Sequence, residues 1–170
     1  MKRILLDVNI LLDVLLDRAP HADSASQLWA AVENGRAAGL IPAHGVTTIH
    51  YLIGRSKGKV FADRAVTDLL SIFGVAAVDA AVLERAVSLG FRDFEDGVCA
   101  AAAEAAGCDL LVTRDAAGFR KSPVPIALPA IALAGLGTPG PPRPARPRRG
   151  PPVRESARST PRNRSANLSA

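Results

Sequence analysis

No apolar run in this chain approaches the length that spans a bilayer, so a membrane helix is not expected. The start, Met1-Lys2-Arg3 followed by leucines, superficially imitates a secretory leader. Asp7, Asn9, Asp13 and Asp17 interrupt each apolar stretch before such a region forms, however, and no small-residue cleavage site follows cleanly. Cysteine is scarce, and Cys99 and Cys108 stand nine residues apart, which is neither zinc nor redox spacing. A reduced core pair in a cytoplasmic protein is the expectation. The three histidines, His21, His44 and His50, show no zincin-like arrangement. Neither an internal repeat nor a second folded domain can be made out.

Charge of one sign is missing from one region only. Residues 139–170 hold eight Arg and one Glu, whereas residues 1–138 hold 13 Lys and Arg against 15 Asp and Glu, so the formal net charge of +5 belongs to the tail. The tail also carries eight of the 13 prolines, no aromatic residue and almost no large apolar side chain. Such a segment cannot bury enough surface to offset its ordering entropy. The expected organisation is one globular domain over residues 1–137 and a disordered Arg/Pro/Ser-rich tail over residues 138–170. An arginine-rich extension of this kind can hold RNA or an acidic partner, or remain solvated. Since the globular part is mildly acidic, nucleic-acid binding there needs a local basic patch. Candidates are Arg55, Lys57 and Lys59 in one loop and Arg114, Arg120 and Lys121 in another.

What is present is an alternation of short apolar runs with helical periodicity. Residues 3–7, 38–42, 75–78 and 110–113 read as buried strands, with a short edge strand around 124–128 near Pro123 and Pro125. Helices are expected from Asn9, from Pro20 to near Gly35, around 46–53, over 60–73 and 80–89, and from about Phe91 to Ala106, where Gly107 supplies the stop. A last apolar turn covers 130–136. Strands alternating with helices imply an α/β fold: a three-layer α/β/α sandwich around a central, mostly parallel sheet. Trp29 lies in the apolar stripe of the second helix and is expected to anchor the core.

Four acids set far apart then fall where this fold delivers side chains to one edge. Asp7 ends the run Ile4-Leu5-Leu6, and Asp115 closely follows Leu110-Leu111-Val112-Thr113. Open α/β sheets bind ligands at those strand ends. Asp93 and Asp96, three apart where a helix begins, are expected on nearly one face of its first turn, with Glu95 off that face as a solvated residue favourable to the dipole. Gathered carboxylates repel and push at least one pKa upward, which a hard cation such as Mg²⁺ relieves. Taken singly, any of these acids could equally be a helix cap or turn residue.

The segments ILLDVNILLD, TTIHYLIGR, FRDFEDGVCAAAAEAAGCDLLVTRD and GFRKSPVPIALPAIAL resemble, in order and spacing, a PIN-domain protein, a family that includes the VapC-type toxins of bacterial toxin–antitoxin pairs. The resemblance covers about residues 3–136. It implies a Mg²⁺- or Mn²⁺-dependent endoribonuclease in which Asp7, Asp96 and Asp115 are metal ligands, Asp93 is an additional catalytic acid, and Asn9 orients Asp7. It also implies a cognate antitoxin whose tail covers the acidic pocket. The apolar helices in residues 10–35 and 45–73 suit that partner or a homodimer.

One departure stands out. Typical members carry a Glu in the helix after the second strand, where this chain reads Thr47-Thr48-Ile49-His50-Tyr51. Asp93 is then expected to supply the missing charge. Thr48 and His50 are expected to line the site with Thr113, although His50 could also be a half-buried helix residue bonded to a carbonyl. Arg114 is either an exposed surface charge or a phosphate contact.

Two rivals remain in view. A receiver-like signalling domain would need adjacent acids after the first strand, whereas Asp7 is followed by Val8 and Asn9. A catalytically degenerate PIN-fold binding module is favoured by the missing Glu and opposed by the retained acids.

Overall fold

The computed structural model describes residues 1–136; the expected boundary at residue 137 and the tail beyond it lie outside the described residues. Short apolar runs rich in Leu, Ile and Val form the strands β1 (Arg3–Leu6), β2 (Ala38–Pro42), β3 (Gly74–Ala76), β4 (Leu110–Val112) and β5 (Ile126–Ala127). Seven helices intervene: α1 (Val8–Leu15), α2 (Ala22–Glu33), α3 (Ala43–Lys57), α4 (Lys59–Ile72), α5 (Ala80–Leu89), α6 (Phe94–Ala105) and α7 (Pro129–Ala134). The sheet order is β3-β2-β1-β4-β5, and all four pairings are parallel, so the sheet is parallel throughout.

Period-two alternation along the central strands divides the interior. Ile4 and Leu6 of β1, with Ile41 and Val112, join a core made with α1, α2, α3, α4 and α7. Leu5, Leu40 and Leu111 face the opposite side and meet α5 and α6. Two buried faces explain why these strands read as continuous apolar runs. The alanines of α6, Ala100 to Ala103, are almost completely buried, and their small side chains suit a helix laid close against the sheet. Gly39 serves the same end on the other face: a Cβ there would lie 2.6 Å from Val32 Cγ1 and 2.7 Å from the Phe73 ring. Phe73 in turn takes the edge of Trp29 at a centroid distance of 5.0 Å. Trp29 is half-buried, so it packs on the rim of the core and does not anchor its centre.

Because β1 pairs with β2 on one side and with β4 on the other, the winding direction reverses between β1 and β4. In open α/β sheets the crevice beyond the carboxyl ends of such strands is where ligands bind. Here Asp7 follows β1 directly, and Thr113 to Asp115 follow β4.

Candidate active site

The strand-end side of the crevice is built by hydrogen bonds. Asp7 is 6% exposed; its amide donates to the Val112 carbonyl at 2.9 Å, which ties the end of β1 to β4. The fully buried Thr113 donates its hydroxyl to Asp7 Oδ2 at 3.0 Å and accepts from the Asp115 amide at 3.1 Å. Burial raises the Asp7 pKa above the usual carboxylate value, while the Thr113 hydroxyl and the backbone N–H groups of Asn9 and Val8 pull against that rise. Asp115 is exposed, and its Oδ1 accepts from the Gly118 amide at 2.9 Å. A Cβ at Gly118 would sit 2.6 Å from Asp115 Oδ2, so a larger residue here would push the carboxylate out of this position.

The other side of the crevice is the start of α6. Asp93 is the N-cap, with its carboxylate accepting from the Glu95 amide at 2.9 Å, and Glu95 and Asp96 occupy the first turn. The Asp96 pKa is pushed up to about 6, first by burial and then by the charges of Asp93, Asp7, Asp115 and Glu95. That shift joins the acids of β1, β4 and α6 in one electrostatic unit. Two clefts meet there. A smaller one of about 190 Å³ takes in Asp7, Asn9, His44, Thr48 and Glu95, a larger one of about 890 Å³ takes in Asp115, and Asp93 and Asp96 line both.

Of the residues singled out in the sequence, Asp7, Asp93, Asp96, Asp115, Asn9, Thr48 and Thr113 come together in this way. His50 does not. Its Nε2 lies 2.8 Å from Asp63 Oδ1, and Asp63 also takes Lys59 Nζ at 2.6 Å. His50 is two residues from Thr48 on α3, about 200° round the helix, so both cannot face one cleft. Arg114 does not reach out to a phosphate either. Its Nη1 donates to both oxygens of Asp13 at 2.9 and 3.2 Å, and Asp13 is fully buried, with Arg18 4.0 Å away. In the Arg55/Lys57/Lys59 group, the Lys59 charge is taken up by Asp63, and Lys57 donates to the Leu15 carbonyl at 3.3 Å.

His44 and Glu95 were missed. His44 precedes Thr48 by four residues, one turn of α3, so helical periodicity marks it out as the histidine on the cleft face. Neither of its ring nitrogens has a hydrogen-bond partner, and Nε2 is 4.0 Å from Glu95 Oε1. Burial lowers the His44 pKa, against a smaller upward pull from Glu95. Glu95 accepts from the Thr48 hydroxyl at 3.2 Å. A carboxylate from α6 thus stands against the part of α3 that has none, and Glu95 joins the expected Asp93 in the cleft there. Asp93 lines the same clefts as Asp96, as expected, although it does so as the N-cap with extended backbone and not from within the helix, which begins at Phe94; it is Glu95, expected off that face, that differs.

The donor set is all carboxylate oxygen, the chemistry hard divalent cations prefer. Among the described residues, though, no three His, Cys, Asp or Glu side chains stand in a group that could already hold a metal ion. The nearby Cys99 thiol is buried and pushed well above its ordinary pKa, first by burial, and so offers no thiolate ligand.

A wholly parallel sheet with acids at the reversal between β1 and β4 defines an α/β protein whose polar chemistry lies at the strand ends. The chain belongs to the PIN domain family, whose family model matches residues 3–117. No curated protein matches it in sequence. Among solved structures it is similar to VapBC2 from Rickettsia felis bound to a DNA fragment from their promoter, with 19% identity, TM-score 0.58, and coverage of 74% of this chain and 98% of that one. It is also similar to FitAcB from Neisseria gonorrhoeae, with 21% identity, TM-score 0.59, and coverage of 74% and 97%. A third is VapC20 of Mycobacterium tuberculosis, a sarcin-ricin loop cleaving toxin, with 21% identity, TM-score 0.54, and coverage of 64% and 86%. At these identities the likeness is one of fold. No helix among the described residues is long and apolar enough to cross a membrane.

Proposed function

We propose that the chain is a divalent-metal-dependent endoribonuclease that hydrolyses RNA phosphodiester bonds, and that it is the toxin of a toxin–antitoxin pair. The observation that carries this reading is the convergence of Asp7, Asp93, Asp96 and Asp115 on two adjoining clefts at the carboxyl ends of β1 and β4, where burial first and then the neighbouring acids push the Asp96 pKa up to about 6. Such a concentration of carboxylates costs stability unless a cation shares it. Asp7, Asp96 and Asp115 are the residues to hold Mg²⁺ or Mn²⁺, with Asp93 beside them. A bound ion of that kind supplies Lewis acidity, which activates water and offsets charge on a phosphodiester.

The protein's own residues do the positioning. Thr113 fixes the orientation of Asp7 and ties it to the Asp115 amide. The Gly118 amide holds Asp115, and Glu95 is steadied by Thr48. Asp7 is the immobile member. Asp93 and Asp115 are exposed and Asp96 is partly so, which leaves them room to turn towards an ion. The toxin–antitoxin proteins among its structural likenesses support a cognate antitoxin, and a homodimer and action in the cytoplasm belong to the same reading.

One specific observation favours a second reading, the catalytically degenerate PIN-fold binding module: no ready-made metal-holding group exists among the described residues. Cleavage of RNA with Mn²⁺ or Mg²⁺, repeated with EDTA, separates the two. The nuclease cuts only with metal, and Asp7→Asn or Asp96→Asn lowers its rate by about two to three orders of magnitude, the scale on which removing one charge-stabilising group acts. In cells, wild type slows growth and Asp96→Asn does not. If both are harmless and neither cuts RNA, the binding module is correct.

A further inference from the structure

The larger cleft is lined by two unlike sets of side chains: the acids Asp93, Asp96 and Asp115, and an aromatic and basic set. Phe94, the first residue of α6, is 52% exposed on the cleft wall, and Phe91 lines the same cleft with its ring braced edge-on against buried Phe119 at a centroid distance of 5.9 Å. Arg92 and Arg120 are exposed on the same cleft, and neither has an ion-pair partner among the described residues. Lys121 completes the basic set and is held in place by donating to the Gly90 carbonyl. A volume of about 890 Å³ lies in the range of clefts that enclose a ligand of one or two nucleotide units.

An exposed aromatic face beside unpaired guanidinium groups is chemistry for a nucleotide: the base stacks and the phosphate takes the charge. The carboxylates repel a bare phosphate, whereas the basic side chains attract one. We infer that the larger cleft is a subsite for the unpaired nucleotide next to the bond to be cut, with its base on Phe94 and its phosphate between Arg92 and Arg120. The inference rests on reading the adjoining acids as the place where RNA is cut. A paired base is already stacked within its helix and cannot lie on Phe94, so the subsite selects a single-stranded segment.

The test measures binding in EDTA, where no cleavage occurs, using the full chain at fixed salt and three fluorescent probes: an unstructured RNA oligonucleotide, the same sequence as a duplex, and an oligoglutamate of equal charge. Phe94→Ala is expected to weaken the single strand by about 5- to 150-fold, the range for loss of one base–aromatic stack. It leaves duplex and oligoglutamate unchanged, and Phe94→Trp retains single-strand affinity. Arg92→Ala and Arg120→Ala each flatten the salt dependence of single-strand binding by about 0.7 in log–log slope. Wild-type affinity in Phe94→Ala, or an equal loss for all three probes, overturns the subsite; an equal loss would make the cleft a general anion or acidic-peptide site. Failure of the nuclease reading looks different, namely no metal-dependent cleavage with Phe94-dependent binding intact. Metal-dependent cleavage whose KM is untouched by Phe94→Ala removes the subsite and keeps the nuclease.

Discussion

The two sides of the acidic crevice are built on opposite terms. On the strand side, Asp7 and Thr113 are buried and hydrogen-bonded to each other, and Arg114, next in the chain, pairs with buried Asp13. On the α6 side, Asp93, Glu95 and Asp96 are exposed or partly so, crowded with like charge and held by two hydrogen bonds, one from the Glu95 amide and one from the Thr48 hydroxyl. One side stores order and the other stores electrostatic stress. A site made this way has a fixed reference carboxylate and a set of more exposed ones, so a cation, if bound as proposed, would relieve the second without rebuilding the first.

The largest disturbance should come from the ordered side. Arg114→Met leaves Asp13 buried with only Arg18, 4.0 Å away, and is expected to cost about 3 kcal/mol in urea unfolding, the low end for breaking a buried pair. A cost under about 1 kcal/mol would mean that Asp13 is not the scaffold charge described here. Next, Thr113→Val keeps shape but strands one oxygen of Asp7 and the Asp115 amide, for an expected loss of about 1–3 kcal/mol. RNA cleavage should fall by roughly 10- to 100-fold as well, as for loss of an outer-shell partner. Unchanged stability in that variant would dissolve the contrast between the two sides.

On the stressed side the sign reverses. The Asp96 pKa in the fold, about 6, lies above its ordinary 3.8, so ionisation opposes folding; the penalty is fully present above pH 6 and disappears as pH falls towards 4. Asp96→Asn should therefore raise the melting temperature at pH 7.5, by about 3 °C after allowance for solvent screening, and give no rise near pH 4. Thermal scans across that range would refute the idea if the rise were independent of pH, or if the variant melted lower at pH 7.5. The smallest effect belongs to His50→Ala, which removes an exposed pair with Asp63 and should change stability by less than about 0.5 kcal/mol and leave cleavage intact. A lost activity would place His50 in the site after all.

Features set by local periodicity were legible in the sequence, and those set by a partner far along the chain were not. Apolar runs ending in Asp7 and Thr113–Asp115 announced buried parallel strands and the edge they serve, and the alanine run of α6 announced a helix against the sheet. Asp13 looked like an interruption of an apolar stretch because its partner, Arg114, is 101 residues away. His50 was preferred over His44 although periodicity pairs His44 with Thr48, so that error was avoidable. The role of Asp93 turned on where α6 starts, and a shift of one residue separates a cap from a helical face. Strand β5 is only two residues long and sits at the sheet edge, where the prolines allowed it but could not set its limits.

The pairing of β1 with β4 also sets a timetable. A chain made from its N-terminus lays down β1 to α4, with Asp7 among them, well before Thr113 and Asp115 exist. Until β4 docks beside β1, Asp7 has neither the hydroxyl that orients it nor the Val112 carbonyl that anchors its amide. The acids assemble across a long stretch of sequence, among the slowest kinds of contact to form. A fragment that stops before residue 110 keeps most of one hydrophobic core and the acids of β1 and α6, but lacks Thr113 and Asp115. Topology thus makes the complete crevice a late event in the life of each molecule, finished only when β4 is in place.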